Sequence, residues 1–87
     1  MIYDDTAKPL PNEIHARLDQ KREELQAVRN DIQNAHENRA YARADNDHAF
    51  ANYWLKYEYF LNARASRLEE EIRSLESSLL ESNHHIN

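Results

Sequence analysis

Two apolar stripes of nearly equal length mirror each other about one point in this chain, and no other feature constrains its fold as much. The first stripe is Ile14, Leu18, Leu25, Val28, Ile32, Ala35 and Ala42; the second is Ala51, Trp54, Leu61, Ala65, Leu68, Ile72, Leu75 and Leu79. Pairing positions whose numbers add to 93 sets Ile14 against Leu79, Leu18 against Leu75, Leu25 against Leu68 and Ile32 against Leu61. Val28 then meets Ala65, and Ala42 meets Ala51. With Leu18, Leu25 and Ile32 at a positions, Leu75, Leu68 and Leu61 fall at d, which is the layering of an antiparallel coiled coil. The spacing predicts an all-α chain built as an antiparallel two-helix coiled-coil hairpin. The rival is one unbroken helix over residues 12–82. The phase of the stripes opposes it, since Ile32 and Leu61 are 29 apart where four heptads make 28.

The expected boundaries follow from the punctuation. Residues 1–11 hold both prolines and no helical period, and read as an extended arm. Ile2, Tyr3 and Leu10 make that arm apolar enough to lie against a helix face. Asn12 is the expected N-cap of the first helix, with Glu13 placed where the helix dipole favours an acid. The chain has no glycine, so any tight turn needing a positive φ falls to Asn or Asp. Asp45-Asn46-Asp47 lies at the fold point of the pairing, with Asn46 for the left-handed position and Asp45 or Asp47 to cap the second helix. The hairpin spans 12–82 with its turn near 45–47, and residues 83–87 form a polar, frayed tail.

A hairpin has a single seam, and one core in a domain this small rarely supplies more than about 3–5 kcal/mol. A homodimer or higher oligomer forming a helical bundle is therefore expected. The segment Phe50–Leu61 strengthens that expectation, because eight of its twelve residues are large and apolar or aromatic. At 100° per residue, Phe50, Tyr53, Trp54, Tyr57, Phe60 and Leu61 cover a sector about 120° wide, broader than the seam requires. Leu55 and Tyr59 project from the other side. Tyr53, Leu55, Tyr57 and Tyr59 are the candidate partner-binding residues, since aromatic side chains anchor interfaces.

Basic residues stand close to this block. Arg39, Arg43, Lys56, Arg64 and Arg67, with Tyr53 among them, form a candidate ligand-binding cluster for a nucleotide or single-stranded nucleic acid through stacking and phosphate pairing. The 93 register sets Arg39 against Trp54, as for a cation–π contact. Two charged residues fall in the seam: Lys21 opposite Ile72, its ammonium directed to Glu24 or Glu71, and Glu58 opposite Ala35. Glu69, Glu70, Glu71, Glu76 and Glu81 on one helix, and Asp19, Glu23, Glu24 and Asp31 on the other, gather negative charge at the end far from the turn.

Several classes are disfavoured. Sixteen acids against eleven bases give a formal charge of −5, the wrong sign for a general duplex-DNA binder. None of the five histidines has the i, i+4 spacing of a helical zinc site, and cysteine is absent. No metal or other cofactor is therefore expected. A glycine-free hairpin offers neither a phosphate cradle nor a concave dry pocket, so no enzymatic activity is expected. No stretch is long and apolar enough to span a membrane, and residues 1–5 lack the features of a signal peptide, which points to the cytoplasm.

The general type, a short acidic helical hairpin without glycine or cysteine, is similar to small phage accessory proteins that bind and inhibit host factors. That likeness is one of composition and assigns no residue a role. It implies a non-enzymatic protein–protein interaction module, an inhibitor or adaptor, with itself and another protein as partners. Nucleotide or single-strand binding at the Arg/Tyr cluster, and a structural coiled-coil assembly component, are the alternatives.

Overall fold

A computed structural model describes residues 10–86 of the chain, with side chains over 10–81. The expected arm therefore lies almost wholly outside the described residues. Two helices, α1 (Pro11–Ala44) and α2 (His48–Ile86), make up the structure, and no strand occurs among the described residues. At 1.5 Å per residue they are about 50 and 58 Å long, and the molecule measures 62 × 27 × 14 Å. A single helix over the same residues would extend about 115 Å. The chain is a hairpin.

Its seam is the one the stripes predict. Ile14, Leu18, Leu25, Val28 and Ala35 from α1 pack with Leu61, Ala65, Leu68 and Ile72 from α2, and Ile32, Trp54, Leu75 and Leu79 close the cluster. Ala42 and Ala51 are buried beside the turn. Cross-helix ion pairs fix the direction: Arg22–Glu76, Arg29–Glu69 and Arg39–Glu58 run in opposite order along the two helices. The seam tapers, with leucine and isoleucine far from the turn and alanine near it.

The turn is built from backbone chemistry that only a few residue types allow. The Asp47 N–H donates to the Ala42 carbonyl at 2.8 Å and the Asn46 N–H to the Arg43 carbonyl at 3.0 Å, the paired bonds of a Schellman motif. That motif needs a left-handed residue, and Asn46 takes it at φ 60°. Asp47 then caps α2, its Oδ1 accepting from the Phe50 N–H at 3.1 Å. Both roles are those read from the sequence. We expect Asn46→Ala and Asp47→Ala each to cost about 1 kcal/mol in urea unfolding, while Asn46→Gly is tolerated. A harmless alanine at 46 would contradict the left-handed assignment.

The helix ends differ from expectation. Leu10, not Asn12, is the N-cap of α1, with extended backbone (φ −69°, ψ 151°) and no side-chain cap. Its carbonyl accepts from Glu13 and Ile14. Pro11 starts the helix because its fixed φ suits the first turn and its missing N–H costs nothing there. At the other end α2 continues to Ile86, four residues beyond the predicted 82.

Candidate functional site: the two flanks of the seam

The hairpin's two long edges carry different chemistry. One edge is an ion-pair ladder, with Arg22 Nη2 at 3.0 Å from Glu76 Oε2 and Arg29 Nη2 at 2.9 Å from Glu69 Oε2. Near the turn it ends on Glu58, the one buried charged residue among those described. Arg39 Nε donates to Glu58 Oε2 at 2.5 Å, and His36 Nδ1 lies 3.7 Å from Glu58 Oε1. Arg39 thus turns to a carboxylate one turn beyond Trp54, and the expected cation–π contact gives way to an ion pair. Lys21 reaches Glu71 at 3.2 Å, one of the two acids named for it. Glu69, Glu71 and Glu76 are therefore held in cross-helix pairs, and the acidic end is partly neutralised by Arg29, Lys21 and Arg22.

The other edge near the turn is aromatic. Phe50, Tyr53, Trp54, Tyr57 and Phe60 form a continuous run of ring contacts along α2. Phe50 stacks on Tyr53 (centroids 6.0 Å, planes 7° apart) and Tyr57 on Phe60 (6.5 Å, 17°). Trp54 lies between them and meets Tyr53 and Tyr57 edge-on at 5.2 and 5.8 Å. The i, i+3 and i, i+4 spacings stack these side chains in rows on the helix surface. Only Trp54 packs into the core. Its indole Nε1 is buried without a hydrogen-bond partner, a burden of about 1–3 kcal/mol. The outer rings remain in solvent: Phe50 is 49% exposed, Tyr53 57%, Tyr57 38% and Phe60 62%. A shallow groove continues this shelf onto α1, lined by Glu24, Ala27 and Asp31 with Tyr57, Phe60 and Arg64.

The candidate residues divide between these edges. Tyr53 and Tyr57 belong to the shelf. Phe50 and Phe60 belong to it as well, although the candidate partner-binding set omits them. Leu55 is half-buried on the ladder side, in a groove with Arg39, Arg43, His48, Ala51 and Asn52. Tyr59 is 68% exposed, and its position on α2 is about 100° or more from every residue of the shelf. The Arg/Tyr cluster is not one surface: Arg39 and Arg43 line the Leu55 groove, whereas Arg64 lines the shelf groove and, with Arg67, a third beside Lys21 and Glu24. Lys56 is exposed and lines none of these three. Among the described residues, no three His, Cys, Asp or Glu side chains are grouped to hold a metal ion, and no helix is long and apolar enough to cross a membrane.

Comparison with protein-family models, curated proteins and solved structures finds no match to this chain.

Proposed function

We propose that this protein is a non-enzymatic interaction module whose working surface is the aromatic shelf, and that its ligand is another polypeptide. The observation that carries this reading is the exposure of four stacked aromatic rings on one rigid helix edge. Large rigid rings give wide contact area at small cost in side-chain entropy, and interface centres are enriched in them and depleted in charge. Between Arg64 and the turn, the shelf side of α2 presents no charged residue among Phe50, Tyr53, Trp54, Tyr57, Phe60 and Leu61. The opposite edge uses its charges on itself. A small adaptor or inhibitor acting by helix-face contact is the finer form of this reading, and composition alone supports it. Nucleotide or single-strand binding has less support, since Arg39 and Arg43 line a different groove from Arg64 and Arg67.

A photo-crosslinking amino acid at Phe60 tests the proposal in cells that express the protein. Adducts to a polypeptide should form at Phe60 and should be at least several-fold fewer from Asn62, an exposed position outside the shelf. Equal yields at the two sites, or none at either, would contradict it.

A further inference from the structure

The shelf reads the same in both directions. Phe50, Tyr53, Tyr57 and Phe60 lie at equal distances, in pairs of like type, about position 55. The ring geometry largely repeats the pattern, with a stacked Phe–Tyr pair at each end and Trp54 edge-on to both tyrosines between them; the Phe50–Trp54 edge contact at 5.8 Å, which has no counterpart at Phe60, is the departure from symmetry. A two-fold interface requires that residue i meet j while j meets i. A palindromic row satisfies this when laid antiparallel on its own copy.

We propose that the polypeptide that covers the shelf is a second copy of this chain, docked antiparallel about a two-fold axis near position 55, which rests on the reading of the shelf given above. Phe50 of each copy then falls level with Phe60 of the other, where the groove beside Tyr57 and Ala27 receives it. Tyr53 meets Tyr57. The four rings, each about half exposed, offer roughly 400 Å² per copy at about 200 Å² a ring. That is half of the roughly 800 Å² per partner that a stable interface needs, and the adjoining groove on α1 adds to it.

Charge selects the antiparallel direction. The same operation sets Arg64 of one copy level with the Asp45–Asp47 turn of the other. Arg64 and Asp45 are exposed, and neither forms an ion pair among the described residues. A parallel two-fold would instead set Arg64 against Arg64 and turn against turn.

Analytical ultracentrifugation of the whole chain decides the stoichiometry, and should give twice the 10.4 kDa chain mass at tens of micromolar. Arg64→Glu should weaken the dimer about tenfold at unchanged helicity, and adding Asp45→Arg should recover most of that loss. The chain has no cysteine, so Glu70→Cys takes one spin label per copy. The two labels should lie about 45 Å apart in the antiparallel dimer, against under about 25 Å in a parallel one. A monomer at 100 µM, a short label distance, or indifference to Arg64→Glu would each overturn the proposal. Phe60 adducts to a different protein alone would do so while leaving the shelf's role intact, whereas a dimer with no Phe60 adducts would overturn both.

Discussion

Leu18→Ala should abolish the cooperative melt of this protein at room-temperature dilution. Leu18 is 1% exposed in the widest part of the seam, opposite Leu75 in the register. Truncating a leucine so buried costs about 2–5 kcal/mol, part lost transfer energy and part cavity. A single-seam hairpin has about 3–5 kcal/mol to lose. The two quantities are nearly equal, so circular dichroism should show a broad, low transition where the parent shows a sigmoid. Leu80→Ala is the control: Leu80 is 62% exposed, and its loss should stay within about 0.5 kcal/mol. Because association stabilises by mass action, both variants should be compared at one protein concentration. A Leu18→Ala melt close to the parent's would mean that the seam is not the source of stability.

The Arg39–Glu58 pair should give the second-largest effect, with a sign that depends on what is removed. Arg39→Ala leaves Glu58 in the seam with its side chain 11% exposed, and only His36 within reach. Stranding a fully buried charge costs about 3–5 kcal/mol; with partial access to water here, about 2 kcal/mol is expected. Glu58→Ala should cost less, since the Arg39 side chain is 21% exposed and its long stem can carry the guanidinium to solvent. Replacing both by methionine should be neutral or stabilising, because no charge is then desolvated. A double-mutant cycle in urea reads the coupling directly. Additive single losses would show that the two side chains do not act as a pair.

Much of the fold was legible because helical hairpins are governed by periodicities that a sequence displays. The constant-sum pairing located the seam, and the absence of glycine narrowed the left-handed position to Asn46. What escaped it was angular. A register states which residues are level, not where a long side chain goes from there. Arg39 is level with Trp54 yet turns to Glu58, since a charge-assisted bond to a carboxylate outweighs about 0.5–1 kcal/mol from an exposed ring. The spread of the arginines over separate grooves escaped it for a related reason. Proximity in sequence and level in the hairpin do not say on which side of the seam Arg43 and Arg64 emerge; that depends on the hand with which the chain reverses at Asp45–Asp47. The N-terminus of α1 misled by residue type: Asn12 is a good cap by composition, but Pro11 already has a helical φ and moves the cap to Leu10.

The shelf sits where it does because the seam narrows to alanine near the turn. Ala35, Ala42 and Ala51 leave no depth for rings between the helices. The aromatic residues of α2 therefore stack along one edge, with Trp54 as their only member in the core. Both the shelf and the ladder depend on the chain reversing at Asp45–Asp47. The reversal is tested by spin labels on Ala16 and Ser77, both exposed and level with each other in the register. Doubly labelled chain diluted into excess unlabelled protein reports distances within one molecule only. The hairpin predicts a separation under about 30 Å, from helix axes about 8–10 Å apart plus the label arms; a distance near 90 Å, the span of 61 residues in one helix, would contradict it.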